Sequence, residues 1–395
     1  MKEVNKKVVR VITRLNVGGP AKHVAWLSNG LDNLEWDNVL LYGPIEENED
    51  DMSALCVQHG VDMRLVHEMQ REIDLTKDVV SVWRAFKVFK KENPSIIHTH
   101  TAKGGMVGRT AAILYKLLYN RKVKIVHTFH GHSFHGYFSK AKQLTFLSVE
   151  RFLAATITDK IITISAAQQK EILGRFKVGN KNKHVVINLG IDTSFSTVLD
   201  KTALRSNLGI QSDELVVGIV GRIAPIKHHS LFVKTAHEAN QWFGGKKKLR
   251  FVIIGEGSSK DVGDLKNLAA ELKVSNLVFA GNQSNPALFY GALDVLMLTS
   301  KNEGTPVSIL EAFAAKIPVV ATNVGGVVDL LGTKSERGKL VEQDSSALCA
   351  ALIDTIENDQ QKQIEEAQQF VMQHYSIKIL VNKIQKLYLE LLGQT

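Results

Sequence analysis

Two carboxylates, Glu303 and Glu311, stand with seven residues between them in KNEGTPVSILE (301–311). Thr305 reads as a helix N-cap and Pro306 as the first helical residue, so Glu303 falls just before a helix and Glu311 on its second turn. A carboxylate at a helix start can simply compensate the helix dipole. Glu311 is different, because it interrupts the apolar run PVSILEAFAA. An ionised Glu is rarely buried without a partner, and sugar hydroxyls are one partner that would serve. Cationic chemistry lies upstream in GRIAPIKHH (221–229), where Arg222 offers a fork for two phosphate oxygens and Lys227 a mobile point charge. A pair of solvated surface cations is the plain alternative.

Further candidates sit in the first half. In LNVGGPAKH (15–23), Gly18 and Gly19 allow close backbone approach, Pro20 suits the first helical position, and the helix start favours an anion. A tight turn accounts for the same residues, and GxGxxG is absent. HTFHGHSFHGYFS (127–139) places His127, His130, His132 and His135 in thirteen positions. They could bind a metal, act as a general base, or line a polar substrate with hydrogen-bond donors. The spacings permit zinc, but no Cys is near and H-E-x-x-H is absent. In HTHTAKGGMVGR (98–109), Lys103 and Arg109 open a helix and suit an acceptor phosphate or a share in a basic surface.

The elements that must position these groups are strands alternating with helices. KVVRVITRL, SIIHTH and KIITIS are each followed by a helical pattern, with KVKIVHTFHG between them, and ELVVGIVGRI, LRFVIIGEG and DVLMLTS with their helical patterns, beside NLVFAG and PVVATNVGG, repeat the scheme. Such spacing indicates βαβ units, and continuous hydrophobicity indicates strands buried on both faces. Two domains are expected, 1–195 and 196–372, with 373–395 a C-terminal amphipathic helix. In doubly wound sheets, ligands lie beyond the carboxyl ends of the strands, where several of these clusters fall. Two such domains are expected to face one another across a cleft.

At 395 residues, 44% apolar and 23% charged, the chain is an ordinary globular pair of domains. Neither a secretory signal nor a membrane span is legible, and Cys56 and Cys349 form no CxxC pair, so a reducing cytoplasm is expected. The net charge of +9 is one-sided: residues 1–195 hold 28 Lys+Arg against 19 Asp+Glu, and the remainder 21 of each. Between Trp83 and Ser148, 12 basic residues face one acid, Glu92. Groove-reading and RRM-type motifs are missing, so nucleic acid is not the expected partner. WRAFKVFKKE (83–92) and ILYKLLYNRKVK (113–124) mix apolar, aromatic and basic residues as interfacial helices do, although a solvated basic helix face reads the same way.

Taken in order, the Gly-Gly loop, VINLGID, G-R-x-x-x-x-K, E-G-x-P-x-x-x-x-E and VVATNVGG resemble retaining glycosyltransferases of family 4 over nearly the whole chain. NVGGPAKHV, HTHTAKGG and HTFHGHSFHGYFS are similar to the bacterial branch that builds capsule, exopolysaccharide and O-antigen. The resemblance implies an α/β GT-B fold with two facing Rossmann-like domains and an interdomain cleft. It implies a nucleotide-sugar donor held by the second domain. Arg222 and Lys227 then neutralise the diphosphate, Glu311 takes the ribose hydroxyls, and Glu303 contacts the transferred sugar with help from backbone N–H groups of Gly304, Thr305, Pro306 and Val307. Gly18 and Gly19 close on the phosphates, and Gly281 and Asn282 edge the base. His130 contacts the donor sugar near the reacting carbon. Lys103, Arg109, His98, His100 and His132 are expected at the acceptor.

No metal or other cofactor is expected, since cationic side chains and a helix start stand where Mg²⁺ would. The expected activity is transfer of a hexose or N-acetylhexosamine, from a UDP-sugar first and GDP-mannose second, to a lipid-linked saccharide at the inner face of the plasma membrane. A nucleotide-sugar 2-epimerase and a non-catalytic polysaccharide- or membrane-binding subunit are the competing readings. An epimerase would lack this form of the paired-glutamate motif, and a decayed site would not keep Arg222, Lys227, Glu303 and Glu311 together.

Overall fold

The structure, a computed structural model, describes residues 5–16, 18–46, 49, 51–130 and 140–394. It divides into two compact units, Met1–Gly190 with Ile377–Thr395, and Ile191–Ser376.

Unit 1 is built on seven strands, β1 (Lys7–Arg14), β2 (Asp37–Gly43), β3 (Asp62–Leu65), β4 (Ile96–His100), β5 (Lys124–Phe129), β6 (Lys160–Thr163) and β7 (His184–Val186). All pair in parallel, in the order β3-β2-β1-β4-β5-β6-β7. The order reverses between β1 and β4, the switch point at which doubly wound sheets bind ligands. Val9, Val11, Ile97 and Ile125 face one apolar layer, while Val8, Ile96, Val126 and Ile162 face another. Both sheet faces are thus buried, which is why these strands lack polar alternation.

The helix Ala102–Leu118 lies tight on the sheet because Gly104, Gly105 and Gly108 line its inner side. A Cβ at Gly104 would strike the β1 backbone, and one at Gly105 would strike His127. The glycines of KGGMVG are therefore used for helix–sheet packing.

Unit 2 has six parallel strands, β8 (Leu215–Val220), β9 (Leu249–Ile254), β10 (Leu277–Gly281), β11 (Val295–Leu298), β12 (Val319–Thr322) and β13 (Lys339–Val341), in the order β10-β9-β8-β11-β12-β13. Its core joins Val217, Phe251, Met297 and Val320 to Phe232 and Leu352 from flanking helices. The GT-B expectation of two parallel-sheet α/β units is the observed architecture.

The last helix, Ile377–Leu391, belongs to unit 1, where Leu380, Ile384 and Tyr388 enter the layer formed by Val8, Ile96 and Val126. The divisions fall at 190/191 and 376/377, where the sequence suggests 195 and 372. Ile187 and Leu189 are still buried in unit 1, and Gly190 abuts Leu380. Tyr375 stays with unit 2, its carbonyl accepting from Ile191 N–H at 2.7 Å. Among the described residues, no helix is long and apolar enough to cross a membrane.

Candidate active site

In unit 2 the functional residues gather at the carboxyl ends of β8, β9, β10 and β11. The loop after β8 is pinned to the loop after β9 by an Ile223–Gly257 bridge and by Ile223 N–H donating to Glu256 O at 2.7 Å. Gly255 is required there, with φ 140° and a Cβ position that would collide with the Gly221 carbonyl. That loop displays Arg222 to solvent and turns Lys227 inward. Lys227 Nζ donates to Glu303 Oε1 at 2.6 Å, and Ser300 Oγ donates to the same oxygen at 2.6 Å. Thr299, at the end of β11, donates to the carbonyls of Lys227 and His228 at 3.0 and 3.1 Å and fixes the loop from below.

Glu303 precedes a helix that runs Val307–Ala314, with Pro306 in the capping position and no side-chain cap. The helix therefore starts one residue later than the sequence suggests, and Thr305 is not its N-cap. Pro306 has no N–H, so only Gly304, Thr305 and Val307 can donate from this segment. The glycine pair of VVATNVGG backs the turn. Gly326 N–H donates to Glu303 O at 3.0 Å, and a Cβ on Gly325 or Gly326 would collide with the Glu303 or Gly304 carbonyl. Gly325 also takes φ 51°, a left-handed conformation suited to glycine.

Glu311 is 5% exposed, and its Oε2 accepts from the Tyr290 hydroxyl at 2.8 Å. A side chain of this protein thus supplies one partner that its burial demands. Burial and the adjacent carboxylate push the Tyr290 phenol well above its ordinary range. Sequence reasoning misses Tyr290, whose only signal there is a hydroxyl on an otherwise apolar helix. At the end of β10, Gly281 has φ 65°, and Asn282 N–H lies 3.4 Å from Glu256 Oε1.

In unit 1 the chain rises from β1 into the helix Gly19–Asp32, with Gly18 as its N-cap and Pro20 in its first turn. Beside it, rings stack in sequence from the ends of β4 and β5. His98 and His100 have centroids 4.1 Å apart, and His100 Nδ1 pairs with His130 Nε2 at 2.9 Å. His23 packs edge-on against His130 at 4.7 Å between centroids. Burial holds all four imidazoles well below their ordinary pKa, so they are neutral near pH 7. The Arg10 guanidinium adds to this for His23, His98 and His100. Arg10 is itself fully buried on β1, bonded to Asn38 and Ser28, and is likewise missed by sequence reasoning.

Three acceptor-site expectations are corrected by packing. Arg109 is fully buried, donating to both oxygens of equally buried Glu150 at 2.6 and 2.7 Å and to Gly105 O at 2.9 Å. Lys103 is buried in an ion pair with Asp78. His98 is spanned by Tyr388 Oη at 2.6 Å and Thr128 Oγ1 at 2.7 Å, which tie the last helix to the sheet. None of these groups is available to an acceptor. His127 pairs with Thr99 Oγ1 at 2.9 Å beneath the helix Ala102–Leu118. His100 remains beside His130. His132 and His135 lie outside the described residues.

Two doubly wound units bearing these strand-end clusters define a GT-B glycosyltransferase, and comparison with known proteins agrees. The description "Glycosyltransferase Family 4" matches residues 17–195, and "Glycosyl transferases group 1" matches 200–376. Together the two matches take in most of the chain, which carries a Glycosyltransferase Family 4 domain followed by a group 1 glycosyltransferase domain.

Among its relatives is the UDP-Gal:alpha-D-GlcNAc-diphosphoundecaprenol alpha-1,3-galactosyltransferase of Escherichia coli, 29% identical over 361 residues, or 86% of this chain and 89% of that one. The capsular polysaccharide biosynthesis glycosyltransferase CapM of Staphylococcus aureus is 26% identical over 77% of this chain and 78% of its own. The fold is shared with a glycosyltransferase from Rickettsia africae ESF-5, at TM-score 0.81 and 17% identity over 98% of this chain and 99% of that one. Anabaena HepE in complex with UDP gives 0.76 and 20% over 96% and 99%.

Proposed function

We propose that this glycosyltransferase retains anomeric configuration while moving a hexose or N-acetylhexosamine from a UDP-sugar to a lipid-linked saccharide in cell-surface polysaccharide synthesis. GDP-mannose is the second candidate donor. The observation that carries this reading is the Lys227–Glu303–Ser300 cluster at the strand ends, beside exposed Arg222 and a helix start. The relatives that act on a diphosphoundecaprenol-linked sugar and on capsular polysaccharide favour the acceptor class, and the UDP-Gal relative favours uridine.

Departure of a nucleoside diphosphate builds negative charge while the sugar becomes oxocarbenium-like. Lys227 and the N–H groups of Gly304, Thr305 and Val307 are held before reaction and, with exposed Arg222, supply positive potential without a metal requirement. The Glu303 carboxylate holds Lys227 in place and takes sugar hydroxyls, while Glu311, steadied by Tyr290, takes the ribose. As the bond from the anomeric carbon to phosphate breaks, the acceptor oxygen bonds to that carbon on the same face. Its proton passes to the departing phosphate oxygen. His130 contacts the transferred sugar, and its neutral ring, paired to His100, is suited to hydrogen bonding.

The membrane side of the proposal rests on one surface of unit 1. Trp83, half exposed, stacks on Phe86, with Lys87 Nζ 5.6 Å from the Trp83 ring and Lys90 Nζ 4.9 Å from that of exposed Tyr119. In the same unit Ile113, Leu117, Phe152 and Ile157 line an apolar slot together with Lys116. Apolar rings with interleaved ammonium groups fit an anionic bilayer. The helix ends at Leu118, so the interfacial helix expected through residue 124 is shorter and passes into β5.

The test is thermal stabilisation by UDP, GDP and ADP, each with and without EDTA. A ligand at 100 times its Kd adds about 2.7 kcal/mol. A UDP shift that survives EDTA and is lost in Arg222→Ala supports the reading; no nucleotide shift at all refutes it.

A further inference from the structure

Three histidines of unit 1 converge from three separate elements. His23 comes from the helix Gly19–Asp32, His100 from the last position of β4, and His130 from just beyond β5. One ring nitrogen of each lies within 4.8 Å of the other two. His100 and His130 already stand 2.9 Å apart, nitrogen to nitrogen. His23 is 2% exposed, and among the described residues neither of its ring nitrogens has a hydrogen-bond partner. Buried polar atoms are almost always satisfied, so a fully covered imidazole with two orphaned nitrogens beside two more imidazoles points to a ligand.

The chemistry of the donor set selects that ligand. Three uncharged imidazoles each offer a lone pair, and among the described residues no carboxylate belongs to the cluster. Oxygen-seeking Mg²⁺ and Ca²⁺ are disfavoured by such a set, whereas Zn²⁺, Ni²⁺ and Cu²⁺ suit it. A metal bonded at about 2.0–2.1 Å to each nitrogen sets them about 3.4 Å apart in a tetrahedron. The His100–His130 pair is within about half an ångström of that spacing, and His23 has only to close. The buried Arg10 charge opposes a dication and favours a site that empties more readily than a structural zinc centre.

We propose that His23, His100 and His130 form a transition-metal site, filled by Zn²⁺ or a similar divalent cation, whose occupation withdraws His130 from the sugar and inhibits transfer. The inhibitory half rests on the role assigned to His130 above; the binding half does not.

Metal-free full-length protein is titrated with Co²⁺, read by the visible absorption of tetrahedral cobalt, and with Zn²⁺ against a chelating dye. One equivalent should bind, weakened tenfold or more, as an order of magnitude, by His23→Asn. That variant should keep its cooperative melt and its UDP-induced shift. An unchanged cobalt spectrum in His23→Asn, or its loss on replacing His132 and His135 instead, would overturn the site. Zn²⁺ should inhibit wild-type transfer about tenfold more strongly than transfer by His23→Asn. Equal inhibition of both overturns the inhibitory half. Failure of the nucleotide shift would refute the donor reading while leaving the cobalt result intact.

Discussion

Replacing Tyr290 with Phe deletes one oxygen and leaves the ring in its apolar setting against Phe195 and Phe289. The oxygen removed is the donor to Glu311 Oε2 at 2.8 Å, inside a site where Glu311 is 5% exposed. A hydrogen bond to a carboxylate contributes about 1.5–3 kcal/mol. For a unit the size of Ile191–Ser376, each kcal/mol corresponds to about 2–4 °C, so Tyr290→Phe should lower its Tm by about 3–12 °C. If Glu311 then leaves its rotamer, nucleotide affinity falls about tenfold for each 1.4 kcal/mol by which ribose binding weakens. The assay is a double-mutant cycle with Glu311→Gln, measuring Tm and nucleotide Kd for all four proteins. The two changes should be strongly non-additive, with a coupling of about 1.5–3 kcal/mol in stability. Additive losses, or a single variant with wild-type Tm and Kd, would refute the claim that Tyr290 positions Glu311.

The Arg109–Glu150 pair predicts a stability effect without an acceptor effect: Arg109→Met should cost about 3–5 kcal/mol in denaturant unfolding, and Arg109→Met with Glu150→Leu should recover much of it. An acceptor KM raised selectively in the double variant would restore Arg109 to the acceptor site. The buried histidines set a pH dependence. His23, His98, His100 and His127 have folded pKa values depressed below 6.5, so the unfolded chain binds more protons beneath that pH. Unit 1 should therefore be fully stable above about pH 6.5 and lose up to about 1.4 kcal/mol per pH unit per histidine below it; flat stability from pH 7 to 5 would contradict this. At the membrane, Trp83→Ser with Lys87→Glu and Lys90→Glu should abolish sedimentation with anionic vesicles and leave nucleotide binding intact. Wild-type binding should fall steeply with salt, and retention by the triple variant would remove this surface from the proposal.

Local spacing carried the legible part of the site. Glu303 and Glu311 share one strand–turn–helix segment, so their relation could be read within one motif, whereas the Lys227–Glu303 contact joins segments 76 residues apart. Tyr290 reaches Glu311 from another helix, and Gly325 and Gly326 reach Glu303 from another strand end; no periodicity reports such neighbours. The same blindness affected the charge argument. Between Trp83 and Ser148 the chain has one acid, yet Lys103 is paired with Asp78 and Arg109 with Glu150, both just outside that window. Part of the apparent anion-seeking charge is internal. Strands rich in Val and Ile announced the sheets, whereas DMRL of β3 and KLV of β13 hold no β-branched run, and β2, DNVLLYG, opens on polar residues and is likewise not read from the sequence.

The return of Ile377–Leu391 to unit 1 has a consequence for biosynthesis. Tyr388, packed on Trp36 and bonded to His98, joins Leu380, Val381, Ile384 and Leu387 of the same helix to close a core whose remaining buried members are complete by residue 190. All of Ile191–Ser376 must be translated in between, which at roughly 5–20 residues per second takes about 10–40 s. Unit 2 is continuous in the chain and can mature on the ribosome. The first-made unit must wait with one apolar face uncovered until Ile377–Leu391 has been made. A ribosome stalled short of the final helix therefore leaves a nascent chain whose second unit is finished and whose first is a client for chaperones.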